Sequence, residues 1–88
     1  MTKQEFIDKL GFKEMNHFTI MDNIEYPLSR NRSISVGCAG TPNENVWLCQ
    51  HDINDYKKIT DLVCISNFDY DGLISEDRMK SLINLFLT

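Results

Sequence analysis

Ile59-Thr60-Asp61-Leu62-Val63-Cys64-Ile65-Ser66, ITDLVCIS in one-letter code, is the stretch on which the fold turns. At a helical period Ile59, Leu62 and Val63 share one face. As a strand the same stretch gains from Thr60, Val63, Cys64 and Ile65, whose β-branched or compact side chains suit a pleated surface. A helix would make the following residues the loop of a helix-loop-helix, whereas a strand would add to a sheet and leave them as a turn. The strand reading is preferred.

Upstream, the pattern reads as further strands. Val46 to His51 is a strand, and Asp52 to Asp55 breaks it. Gly37 to Asn45, with Gly40-Thr41-Pro42-Asn43, is the most loop-like segment. Before it, Ser33-Ile34-Ser35-Val36 places its apolar residues two apart, and Arg30-Asn31 supplies a turn. His17 to Met21 also alternates, Asp22-Asn23 can turn, and Ile24, Tyr26 and Leu28 resume on one face, which predicts a hairpin. Pro27 cannot donate to a ladder, so its strand is expected to be an edge or to be broken there.

Helices are expected at both ends. Thr2 with Glu5 three residues on forms a capping box, Phe6, Ile7 and Leu10 give an apolar side, and Gly11 is a stop. Ser75 to Leu87 has a Ser cap, acidic Glu76 and Asp77 in its first turn, and Met79, Leu82, Ile83 and Phe86 at helical spacing. The expected fold is α+β: a short N-terminal helix, an antiparallel β-meander of four to five strands, and a C-terminal helix packed on one face, all in one small domain spanning residues 1–88.

Bulk properties narrow the function. A chain of 88 residues buries about 60% of the surface its unfolded form exposes, enough for a core but not for a roomy internal active site. With 42% hydrophobic and 25% charged residues the composition is that of a folded domain. A net charge of −4 argues against nucleic acid, which is bound by clustered cations that release counterions. The basic pairs Arg30/Arg32 and Lys57/Lys58 read as solvated surface. No apolar run spans a membrane and no secretory h-region follows Met1, so a cytoplasmic protein is expected. Cys38, Cys49 and Cys64 match no disulfide framework and read as buried free thiols. A single alanine, Ala39, beside abundant Ile and Asn hints at an AT-rich genome, bacterial or viral.

Asn67-Phe68-Asp69-Tyr70-Asp71-Gly72-Leu73-Ile74-Ser75-Glu76-Asp77-Arg78 alternates oxygen-bearing side chains and then places a glycine, as a short cation loop requires. The stretch resembles the EF-hand family. That resemblance implies calcium ligation by Asn67, Asp69 and Asp71, by the Leu73 carbonyl and, through water, by Ser75. It makes Gly72 the turn glycine and Ile74 the residue that pairs loops, and it has Ile59, Leu62 and Val63 follow the incoming helix. Arg78 stands where the family has its bidentate Glu. Asn, Asp and Gly also make turns unaided, so a metal-free turn is the first reading and weak calcium binding, with no other cofactor, the alternative. In the metal-free form the Arg78 guanidinium is expected to reach back to Asp69 or Asp71.

Other groups carry less chemistry. Cys49 and His51 share a strand face, and with Cys38, Cys64 and His17 they offer zinc-type ligands, but at irregular spacing. Cys49 beside His51 is also a nucleophile with a base, though no Gly-rich elbow accompanies them. The carboxylate pairs Asp69/Asp71 and Asp52/Asp55 read as turn residues. Trp47, Cys49 and His51 lie opposite Val46 and Leu48, and an open face there would present them as a docking surface or a homodimer contact. The expected function is therefore non-enzymatic: a small acidic domain that binds another protein, an inhibitor or accessory protein of viral or mobile-element origin, without nucleic-acid or membrane partners.

Overall fold

A computed structural model describes residues 1–15, 20, 22–65 and 73–87. The fold is α+β: helix α1 (Lys3–Leu10), five strands β1 (Lys13–Glu14), β2 (Asn23–Ser29), β3 (Arg32–Gly37), β4 (Asn45–Asp52) and β5 (Asp55–Cys64), and helix α2 (Glu76–Leu87). The strands form one antiparallel sheet in the order β1-β2-β3-β4-β5, so each pairs with its neighbour in sequence. The decisive stretch is a strand, with Leu48 opposite Val63 and Cys49 opposite Leu62.

Two details of the meander concern the expected hairpin. The first hairpin strand is Lys13–Glu14, paired as Lys13 with Glu25 and Glu14 with Ile24; the expected strand at 17–21 falls mostly outside the described residues, and Ile20 sits in a bend. Pro27 lies on β2, which is flanked by both β1 and β3. The short β1 runs only as far as Glu25, and the β2–β3 register shifts between Pro27 and Ser29. Proline is accommodated because no ladder on the β1 side needs its missing N–H.

Strand alternation sorts the side chains. Ile24, Ile34, Val36 and Val46 point to one face, where they join Phe6, Phe12, Ile74, Met79 and Ile83 in the core. The α1 face is carried by Phe6 with Ile7 and Leu10, and the α2 face by Met79 and Ile83 with Leu82 and Phe86. Both helices therefore serve the same side of the sheet.

The caps form as their residues dictate. Thr2 Oγ1 accepts from Glu5 N–H at 3.1 Å and Glu5 Oε1 accepts from Thr2 N–H at 3.0 Å, while Gly11 closes α1 in the left-handed region at φ 84°. Ser75 Oγ accepts from Arg78 N–H at 3.1 Å and opens α2. Glu44 then ties the β3–β4 loop to the approach of α2: its carboxylate accepts from Gly40 N–H at 2.9 Å and from Ile74 N–H at 2.7 Å.

The α1 cap makes a pH prediction. The Thr2 backbone N–H, and after it Lys9, hold the Glu5 carboxyl at about 2, well below its ordinary 4.5. A carboxyl depressed in the folded state contributes stability that is present above 4.5 and lost as pH falls towards 2. Glu5→Gln keeps a capping amide but cannot titrate. Its melting temperature is therefore expected to fall less steeply than the parent's across that window in thermal unfolding followed by circular dichroism; equal slopes would remove Glu5 from the acid response.

Candidate functional site

The EF-hand-like loop enters from a strand. Ile59, Leu62 and Val63 lie on β5, so the incoming helix that the resemblance implies is replaced by the edge of the sheet. Asn67, Asp69, Asp71 and Gly72 fall outside the described residues, as does any partner of Arg78 among them. Of the remaining expected ligands, Leu73 is exposed and Ser75 uses its hydroxyl to cap α2. The loop-pairing position, Ile74, is buried in the core, and its N–H is taken by Glu44. Among the described residues no group of three or more His, Cys, Asp or Glu side chains is placed to hold a metal ion.

The second sheet face gathers a polar cluster. Asn23 and Glu25 of β2, Ser33 and Ser35 of β3, and Cys49 and His51 of β4 are all buried on it. Cys49 is 0% exposed and His51 2%, so the face read as open from sequence does not present them at the surface. Trp47 is half-buried, and its indole N–H donates to Asn45 Oδ1 at 2.6 Å. Of the three thiols, none of them in a disulfide, only Cys49 is buried, whereas Cys38 and Cys64 are half-buried. Burial pushes the Cys49 thiol above its usual range, with the Glu25 charge adding to the effect and Ser35 opposing it.

The cluster is built around the His51 ring. Where β4 meets β5 the register shifts twice, with Gln50 opposite Asp61, His51 opposite Ile59 and Asp52 opposite Asp55, so Thr60 is offset and Tyr56 to Lys58 form a bulge. That bulge lays the Tyr56 ring on His51 at a centroid distance of 3.9 Å and 11° between planes. It also brings the Tyr56 carbonyl within 2.7 Å of His51 Nδ1. A carbonyl only accepts, so Nδ1 carries the proton, and in the neutral ring Nε2 accepts from the Ser33 hydroxyl at 2.7 Å. Burial lifts the Tyr56 phenol well above its ordinary range, and the nearby Glu25 carboxylate acts in the same direction.

Chemically this is a serine bonded to a histidine whose other nitrogen is held in place, the geometry of an activated nucleophile. The sequence pointed to Cys49 as the partner of His51; the structure gives His51 to Ser33. Ser33 is 0% exposed, so its oxygen meets no substrate in this conformation, and the bonds it makes act as a lock within the sheet.

The open part of the molecule lies at the other end of the helix-bearing face. The core residues on this face come from β2, β3 and the start of β4, and past them Leu48 is half-buried and Val63 is 50% exposed. Arg32, Leu48, Cys49, Gln50, Asp61 and Val63 line a dent of about 60 Å³, with apolar residues beside an arginine and an aspartate. The dent runs to β5, the last strand of the sheet, along which Thr60 and Asp61 are exposed. This site is not singled out by any motif, although its signal is present in the sequence: Val63 and Leu48 are apolar strand residues facing the same way as Gln50 and Asp61.

Comparison with protein-family models, with curated proteins and with solved structures gives no match to this chain.

Proposed function

We propose that the protein is a non-enzymatic binding domain that docks on another protein through the open β4–β5 end of its sheet. One observation carries the reading: the dent at Leu48 and Val63 offers apolar surface with Arg32 and Asp61 beside it, an anchor socket with polar edges. Its size suits a single side chain rather than a metabolite. Burial of Ser33, Cys49 and His51 supports a structural role for the groups that sequence offered as nucleophile and base. The net charge of −4 favours a partner with a basic surface over nucleic acid. Among the described residues no helix is long and apolar enough to cross a membrane.

A photo-crosslinking amino acid at Val63, compared with the same group at Ser81 on α2, tests the proposal in extract of the native host. A single saturable adduct is expected from position 63 only, competed by unlabelled parent protein and not by Val63→Asp. Equal labelling from both positions, or an adduct that Val63→Asp competes as well as the parent, would refute docking at this face.

A further inference from the structure

The outer edge of β5 is guarded by its own sequence. Ile65 N–H donates to Val46 C=O at 2.9 Å, which sets the phase of the β4–β5 ladder: Val63 and Asp61 turn their backbone groups towards β4, and Leu62 and Cys64 turn theirs outward. An outward N–H on the last strand of a sheet is a template for another chain. Here the Leu62 N–H is already engaged, because it donates to Oδ1 of Asp61, the preceding residue, at 2.9 Å.

The strand so guarded is otherwise well suited to pairing with itself. From Ile59 to Ile65 it is rich in β-branched and apolar residues, contains no proline or glycine, and has Asp61 as its one charged residue. Around a two-fold axis through Leu62, two copies would run antiparallel with Asp61 opposite Val63 on either side of the Leu62 pair, the Thr60 end lying at the register shift between Gln50 and His51. Asp61 carries the one charge in this central stretch. Asp61 opposes this pairing twice, since its oxygen occupies the N–H needed for the central rung and its charge would face a valine with no cation across the ladder.

We propose that Asp61 is an edge guard: by bonding the Leu62 N–H it keeps β5 from pairing with β5 of a second copy of this chain. The inference concerns self-association and stands apart from the partner proposed above. Its chemistry is specific to position 61, because the other charged residues of β5, Asp55, Lys57 and Lys58, lie at or beyond the bulge and outside the stretch that would pair.

Sedimentation equilibrium on the full chain tests it with three proteins: the parent, Asp61→Ala, and Asp61→Ala with Leu62→Pro. Proline at 62 removes the outward N–H without touching the β4 ladder. The parent is expected to be monomeric, Asp61→Ala to dimerise with an association constant raised by about tenfold or more, and the double variant to return to monomer. Amide exchange at Leu62 should slow in the Asp61→Ala dimer. A folded Asp61→Ala that sediments like the parent overturns the proposal, as does a dimer that Leu62→Pro does not dissolve. Should Asp61→Ala lose its strand signal in circular dichroism, Asp61→Thr, which also lacks the carboxylate and favours strand, is read by the same criteria.

Discussion

Replacing His51 by alanine is expected to lower the stability of the fold by about 3–5 kcal/mol, read as a fall in the urea midpoint at unchanged slope. The ring is buried and bonded at both nitrogens, to Ser33 Oγ and the Tyr56 carbonyl, each at 2.7 Å. Its removal strands the Ser33 hydroxyl in the interior, at about 1–3 kcal/mol for an unsatisfied group. The Tyr56 carbonyl loses its donor and the Tyr56 ring its stacking partner, the latter about 0.5–1.5 kcal/mol beyond area. Ser33→Ala removes one bond and is expected to cost about 1–2 kcal/mol. The double variant should cost less than the sum, because the two side chains share a bond. A His51→Ala loss below about 1 kcal/mol, or strict additivity with Ser33→Ala, would show that the cluster is not a lock.

The second large effect belongs to the opposite face. Phe6→Ala is expected to cost about 3–5 kcal/mol, a large share of the roughly 5–10 kcal/mol that a domain of this size commands. Phe6 is wholly buried and meets Phe12 edge to face at 5.3 Å and 71°, and Phe12 in turn leans on Tyr26 at 5.7 Å. Truncation thus opens a cavity beneath α1 and leaves Phe12 without its partner. Phe6→Leu retains most of the volume and should lose less than about 2 kcal/mol. Chemical unfolding followed by tyrosine and tryptophan fluorescence distinguishes the two variants. An alanine variant as stable as the leucine one would mean that α1 is not part of the cooperative core.

Much of this architecture was legible because its signals are local. Thr2 with Glu5, Gly11, and Ser75 before Glu76 each specify a helix end through bonds spanning only a few residues, and each forms. The period-two alternation of Ser33 to Val36 and of Val46 to His51 correctly separated two faces. Alternation does not say which face is covered, however. Serines and a histidine opposite isoleucine and valine look like a solvated side, yet here they are buried, with Ser33 bonded to His51 across the β3–β4 pair. The bulge at Tyr56 to Lys58 is what brings a carbonyl and a ring to His51, and nothing in Asp55-Tyr56-Lys57-Lys58 announces it. The strand that pairs with the start of β2 carried no signal for a similar reason. Lys13–Glu14 has no apolar pattern of its own and becomes a strand through pairing with β2. β5 takes the place of the incoming helix that the EF-hand likeness implies, because ITDLVCI gains a β4 partner.

The strictly sequential order of the strands also bears on how the chain finds its fold. Each step from β2 to β5 closes a hairpin over a short loop, and closure entropy grows only as the logarithm of loop length. The meander therefore assembles through contacts of low sequence separation, the kind associated with rapid folding. The demanding closures are left to the helices at the two ends of the chain. Glu44 serves one of them: the bond from its carboxylate to the Ile74 N–H joins residues 30 apart and fixes where α2 must land. The sheet can thus be a fast local event, with the docking of α2 a slower step that Glu44 guides.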